Sequence, residues 1–240
     1  MTEIPTGTGK EAYIEGLFSS IAPRYDLINT VISLARHRAW RRFAVSKTGV
    51  GRGGCALDVC CGTGDFAFEL ARMVGSRGRV IGLDYSQPML DLARRKAARR
   101  RADHVSFVAG NACNLPFPDD SFDCVTVGFG LRNVADVGAA IGEMARVTRP
   151  GGKVVSLEII GLRSSLAAIG WRLCFGVLAP CAARVFRGRR EAYRYLVRSV
   201  DGFLSREELA AEFAARGLRH VTCYGIALGA VCVHVGTKAG

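Results

Sequence analysis

The sequence predicts an α/β protein with a doubly wound, mostly parallel sheet, and three observations carry that expectation. Short apolar runs alternate with helical stretches from Cys55 to Leu157, a Gly-rich turn follows the first run, and two extended segments close the chain. Such alternation places parallel strands between layers of helix, because each crossover must bury its apolar face against the sheet.

The polar, Gly/Thr-rich stretch Met1–Ala12 reads as a loose end. Glu15–Ser20 and Tyr25–Arg41 read as helices separated by Pro23, with Leu27, Val31, Leu34 and Arg38 at helical spacing. The strand Ala56–Val59 enters the Gly-rich turn and the helix Phe66–Val74 leaves it; Arg79–Leu83 and Pro88–Arg101 repeat the unit. Val105–Val108, Cys124–Val127 and Lys153–Leu157 supply further strands. Between the last two, the helix Val137–Val147 is expected to stop at Pro150-Gly151-Gly152. Gly161–Arg190 is basic and apolar, with Leu166, Ile169, Leu173 and Val177 at helical intervals. Ser205 and Glu208 form a capping box for the helix Ser205–Arg216, and His220–Tyr224 and Val231–Thr237 form a closing antiparallel pair. The whole reads as one domain, 1–240: a helical cap (1–45), a core (53–160), a basic–apolar substrate or lid segment (161–204), and a C-terminal helix with a strand pair (205–240).

Composition narrows the classes. The chain has 240 residues, 49% of them hydrophobic, enough to bury a core. Charged residues interrupt the N-terminus (Glu3, Lys10, Glu11, Glu15), and arginines cut the longest apolar stretch (Arg163, Arg172, Arg184), so neither a secretory signal nor a spanning helix is expected. Nine irregularly spaced cysteines point to reduced thiols in a cytoplasmic protein. The scattered His37, His104, His220 and His234 suggest no metal site. The formal net charge of +12 is concentrated in Arg94–Arg101 and Arg163–Arg198. It can face solvent, nucleic acid or an anionic membrane surface.

The strongest motif is Leu57-Asp58-Val59-Cys60-Cys61-Gly62-Thr63-Gly64-Asp65. Glycine lets a chain turn sharply and lets a ligand approach its backbone. By itself Gly62-x-Gly64-x-x-Ala67 suits a nicotinamide, a flavin or S-adenosylmethionine equally. Asp84 ends the second strand twenty residues after Gly64, where a carboxylate can accept ribose hydroxyls, and this too is shared by those cofactors. The surroundings decide: Asn111-Ala112 beyond the third strand, Leu115-Pro116-Phe117-Pro118 before the fourth, and Arg149-Pro150-Gly151-Gly152 before the fifth. That ordered set matches class I S-adenosylmethionine-dependent methyltransferases, which have a Rossmann-like seven-stranded sheet with a C-terminal antiparallel strand. Asn111 or its backbone is then expected at the adenine edge, and Asp58 or Asp65 near the cationic methionine end, since carboxylates attract a sulfonium. Structural alternatives stand beside each: Gly62 and Gly64 as a simple turn, Asp84 as a helix cap, Asp58 as a brace for the loop, Cys60 and Cys61 as packing.

Three further segments resemble the UbiE/MenG family of quinone-biosynthesis C-methyltransferases, from about Phe18 to Lys238. They are Tyr25-Asp26-Leu27-Ile28-Asn29 with His37-Arg38-x-Trp40-Arg41-Arg42; Asn114 to Asp119 with Ser121-Phe122-Asp123-Cys124; and, most specific, Gly128-Phe129-Gly130-Leu131-Arg132-Asn133-Val134. The resemblance implies cofactor contacts from Thr63, Asp84, Asn111 and Ala112, and methylation of a ring carbon of a polyprenylated quinol, with demethylmenaquinol as the first choice over a benzoquinol. Gly128 stands where the family usually has serine, so a hydroxyl contact is lost there. Departures at Leu157–Ile160, Tyr195–Val200 and Ala227–Gly229 fall in the substrate-facing half.

A ring carbon attacks a methyl only once an adjacent hydroxyl has lost its proton. Arg132 is the candidate to stabilise that oxyanion, with Asn133 orienting it; a salt bridge is the structural alternative for Arg132. His37 and His234 are candidate bases, or else structural histidines. A polyprenyl substrate gives Gly161–Arg190 a membrane-surface role, or that of a lid. Rival readings are a methyltransferase for phospholipid amine or another small acceptor, a nucleic-acid methyltransferase, and a non-catalytic scaffold. The nucleic-acid reading lacks interleaved aromatics or an Asn/Asp-Pro-Pro-Tyr motif. The sequence leaves a homodimer open.

Overall fold

The computed structural model describes residues 8–160, 195, 199–200 and 202–240. The strands β1 (Cys55–Val59), β2 (Arg79–Asp84), β3 (Val105–Ala109), β4 (Phe122–Gly128), β5 (Thr148–Ile159), β6 (Leu218–Ile226) and β7 (Val231–Lys238) form one seven-stranded sheet in the order β3-β2-β1-β4-β5-β7-β6. β7 runs antiparallel to both neighbours, and the other pairings are parallel.

Each face of the sheet is closed by the apolar side of amphipathic helices. On one face lie α3 (His37–Lys47), α4 (Asp65–Val74) and α5 (Gln87–Arg100), which bury Phe66, Leu70, Val74, Leu90 and Ala93 against Ala56, Val80, Phe107 and Val155. On the other lie α6 (Val137–Val147) and α7 (Arg206–Ala215), whose Ile141, Met144, Leu209 and Phe213 meet Leu57, Val125, Val154 and Leu218. The Ser205–Glu208 capping box forms in full: Ser205 Oγ accepts from the Glu208 amide, and the Ser205 amide donates to Glu208 Oε2. Two further helices, α1 (Thr8–Ile21) and α2 (Tyr25–Ile32), build a small cluster of their own around Ile21 and Ile28.

Four expectations are corrected. Thr8–Ala12 belong to α1 rather than to a loose end. The helix expected over Tyr25–Arg41 is two helices, parted where Leu34 (φ 50°) and Ala35 (φ 61°) adopt left-handed conformations. Ser33 caps the break: its hydroxyl donates to the Asn29 carbonyl at 2.6 Å and hydrogen-bonds His37 Nδ1 at 2.7 Å. In consequence the stripe through Leu27 and Leu34 is exposed, and Ile28 is the buried residue of α2. Finally, α6 ends before Thr148, and Pro150-Gly151-Gly152 lies inside β5. The segment Gly161–Arg190 lies outside the described residues. No described helix is long and apolar enough to cross a membrane.

The basic run on α5 is partly consumed by structure. Arg94 pairs with Asp91, Lys96 with Asp26 and Asp65, and Arg100 lies over the Phe68 ring.

Candidate active site

A cleft with an empty volume of about 770 Å³, including space open to solvent, sits at the carboxyl ends of β1, β2, β3 and β4. Strand order reverses between β1 and β4, and loops leaving such neighbours in opposite directions open a crevice there.

The floor is the turn after β1. Cys60 (φ 54°), Gly62 (φ 54°) and Gly64 (φ 85°) are all left-handed, which folds the chain back at once into α4. At Gly64 a side chain is excluded twice over, since a Cβ would fall 2.8 Å from the Phe107 ring. Cys60 holds the same conformation without glycine's freedom, a strained backbone of the kind found at functional sites. Asp84 anchors the turn. Its Oδ2 accepts from the Gly62 amide at 2.7 Å, and its Oδ1 from the Ser86 amide at 2.9 Å. Burial raises its pKa, while those amides and that of Tyr85 oppose the rise. Asp84 is thus both the loop brace and a cleft carboxylate, each oxygen keeping a lone pair for another donor.

The far walls come from Asn111 and Ala112 after β3, and from Gly128, Phe129, Gly130, Asn133 and Val134 after β4. Asn111 Oδ1 accepts from the Cys113 amide at 2.9 Å, which turns that oxygen into its own loop. Asn133 Nδ2 donates to the Phe129 carbonyl, and Asn133 Oδ1 accepts from the Tyr195 hydroxyl at 2.9 Å. Burial pushes the Tyr195 hydroxyl up to about 12, so it remains a donor at neutral pH. Ile14, Glu15 and Phe18 of α1 and Tyr25 of α2 close the remaining side.

The structure therefore gathers Gly62, Asp84, Asn111, Ala112, Gly128 and Asn133 around one cavity. Seven other expected residues do not line it. Thr63 is buried, donating to Asp26 Oδ1 at 2.5 Å and accepting from Lys96 Nζ at 2.9 Å. Gly64 shapes the turn from behind. Asp58 is fully buried, accepting from the Thr126 hydroxyl at 3.0 Å; burial lifts its pKa to about 7, so it braces the sheet instead of facing a sulfonium. Asp65, expected as the other partner of that charge, faces Lys96 at 2.9 Å and Arg41 at 3.6 Å.

Arg132 forms a buried ion pair with Glu158 at 2.8 Å, and Glu158 Oε1 accepts from the Leu131 amide. Its charge is thus committed to holding the turn after β4. His37, buried beside Ser33, has its pKa lowered to about 4 by burial and by Arg41, and is neutral. His234 lies on β7, where Nε2 donates to the Arg206 carbonyl at 2.9 Å.

Residues that sequence reasoning missed are Ile14, Glu15, Phe18, Tyr25 and Tyr195. Ile14 and Phe18, four apart on one helical face, carried a legible signal. Tyr25 stands inside a motif already singled out, and Glu15 places a second carboxylate at the cleft.

An α/β sheet in this order, with a left-handed Gly turn braced by an acid at the end of β2, defines a class I S-adenosylmethionine-dependent methyltransferase. The cradle fits that cosubstrate: backbone close enough to touch, a carboxylate for sugar hydroxyls and, among the described residues, no basic side chain lining the cleft to favour a pyrophosphate. The chain belongs to the ubiE/COQ5 methyltransferase family, whose model matches residues 7–238. It is 42% identical over 229 residues to the demethylmenaquinone methyltransferase of Halalkalibacterium halodurans, covering 95% of this chain and 94% of that one. A crystal structure of a methyltransferase dependent on the same cosubstrate, from Aquifex aeolicus, superposes with a TM-score of 0.63 at 18% identity, covering 88% of this chain and 96% of that one. An N-methyltransferase for phosphoethanolamine from Haemonchus contortus, solved with S-adenosylhomocysteine, gives 0.61 at 16%, covering 83% and 52%. At such identities the structural likenesses speak for the fold alone.

Proposed function

We propose that this protein methylates a ring carbon of demethylmenaquinol, and that the cleft after β1–β4 holds both reactants. The observation that carries the reading is Asp84 bonded to the Gly62 amide beneath the cavity, in a chain whose relatives are named for that reaction. S-adenosylmethionine, when bound, supplies an electrophilic methyl group on a sulfonium.

This chain's residues do the rest. Asp84 accepts the ribose hydroxyls while keeping the Gly62 turn in shape. Asn111 and Ala112 border the adenine, and Glu15 sets negative charge at the cleft's open side, opposite in sign to a sulfonium. Asn133, held between Tyr195 and the Phe129 carbonyl, meets the ring oxygen of the acceptor. Arg132 acts through this turn: pinned by Glu158, it keeps Phe129–Val134 in place. Ile14, Phe18 and Tyr25 cover the cavity and exclude water, which strengthens those interactions. The basic–apolar segment 161–190 carries the enzyme to an anionic membrane face where a polyprenyl quinol resides.

Purified enzyme given S-adenosylmethionine and reduced short-chain demethylmenaquinol should yield a quinol heavier by one CH₂ unit. Asp84→Ala should weaken cosubstrate binding about 30- to 100-fold in calorimetry, the loss of charge-assisted hydrogen bonds worth about 2–3 kcal/mol. Tight cosubstrate binding with no methylated quinol would replace the acceptor and keep the class. Flotation with anionic but not neutral vesicles checks the membrane proposal; equal flotation with both refutes it.

A further inference from the structure

One polar cluster lies away from the cleft, on the strands beyond β5. Cys223 of β6 is the register partner of His234 on β7, and Cys232 lies two residues along β7 from that histidine. Side chains two apart on a strand share a face, so Cys223, Cys232 and His234 project together toward α7, whose Phe213 ring lies 6.0 Å from the imidazole. Cys232 sits diagonally across the register from Cys223, and its Sγ donates to the Gly229 carbonyl at 3.8 Å. Cys223 is half-buried and reachable, and Cys232 is buried behind it.

The surroundings favour a thiolate at Cys223. α7 is a ten-residue helix whose N-terminus stands over the pair; its first residue, Arg206, donates from Nη2 to the Cys223 carbonyl at 3.1 Å. His234 Nε2 donates to the Arg206 carbonyl, which fixes the imidazole opposite Cys223 and beside the helix N-terminus. A helix N-terminus and a guanidinium both stabilise negative sulfur. The neighbouring Cys232 thiol, then His234 and Arg206, hold the Cys223 thiol below the ordinary cysteine range against the opposing effect of burial, while the Cys223 sulfur and burial push Cys232 up.

We infer that Cys223 and Cys232 form a peroxide-responsive dithiol, with Cys223 as the attacking thiolate and Cys232 as the resolving thiol. Cys223 sulfur attacks one oxygen of hydrogen peroxide; an S–O bond forms, the O–O bond breaks, and hydroxide leaves. Cys232 sulfur then attacks the sulfenic sulfur; the S–S bond forms, the S–O bond breaks, and the departing hydroxide takes the Cys232 proton as water. Two electrons pass from the thiol pair to the peroxide. Cys232 is also the register partner of Glu158, so the pair stands one strand from the carboxylate that holds Arg132.

The test uses the full reduced chain. At about pH 6, iodoacetamide should modify Cys223 about tenfold faster than half-buried Cys55, because its larger thiolate fraction outweighs the lower nucleophilicity of a more acidic thiol. An equimolar amount of hydrogen peroxide should give a Cys223–Cys232 disulfide in the peptide map. In Cys232→Ser, Cys223 should stop at a sulfenic acid captured by a cyclic dione, and in Cys223→Ser position 232 should show neither product. A map in which both residues stay reduced while another cysteine oxidises overturns the inference, as does alkylation of Cys223 no faster than that of Cys55.

Discussion

On the β1–β3 side of the cleft the polar groups face the cavity, whereas on the β4–β5 side they face one another. Asp84 and the Gly62 turn offer a carboxylate and backbone to whatever enters. Across the cleft, Arg132 and Glu158 neutralise each other out of contact with solvent, with side chains 5% and 0% exposed, and Asn133 is bonded on both sides. A cosubstrate common to many enzymes is met by fixed backbone geometry. In the function we propose, an acceptor whose ring oxygen gains charge meets a rigid turn whose electrostatics are set before it arrives. The comparison teaches that binding and positioning are divided between the two sides of one sheet.

The largest effect should come from the paired side. Glu158→Ala leaves the Arg132 charge buried without its carboxylate and the Leu131 amide without an acceptor, which should cost about 3–5 kcal/mol of stability in urea unfolding. Glu158→Gln keeps the amide's acceptor and should recover part of that loss. A Glu158→Ala protein as stable as wild type would mean the pair is incidental, and the contrast between the two sides would collapse.

The next effect belongs under the β1 side and depends on pH. Burial holds the Asp58 carboxyl up to about 7, against the lowering effects of Thr126 and Arg41. The folded state thus grips this proton more tightly than the unfolded chain, whose aspartates titrate near about 3.9. The stability from this group is complete below about pH 3.9 and is lost as pH rises through about 7; a shift of about three units corresponds to about 4 kcal/mol. Wild type should therefore lose stability relative to Asp58→Asn between about pH 4 and pH 8 by that order. A difference that stays flat over the range would show that the carboxylate is solvated, and Asp58 would move to the open side of the comparison.

The same contrast explains which parts were legible in the sequence. β1 to β4, α4 and α6 lie within about two residues of expectation because period and turn chemistry mark them locally. The break between α2 and α3 carries no such mark: Leu34 and Ala35 take left-handed conformations that their side chains disfavour, and Ser33 and His37 compensate only in the folded chain. At the site, Gly62 and Asp84 were legible because backbone geometry dictates them. Thr63 and Arg132 were not, since their partners Asp26 and Glu158 stand 37 and 26 residues away. Tyr195 meets Asn133 across 62 residues, and no local pattern announces that.

Gly128 sits on the seam between the two sides and sets the smallest prediction. A Cβ there would lie 2.6 Å from Cδ2 of Phe66, a buried ring in the first turn of α4, so the ring takes the space a side chain would need. The glycine at this position is thus coupled to the phenylalanine opposite, and the two are one feature of the packing. Gly128→Ser alone should force the ring aside at about 1–3 kcal/mol of stability and should weaken cosubstrate binding, because α4 starts directly after the Gly62 turn. Adding Phe66→Leu clears the space, so the double variant should regain binding and at least half of the stability lost, whereas independent sites would simply add their losses. Strict additivity in that cycle would separate the glycine from the ring, and with it the link from the end of β4 to the turn after β1.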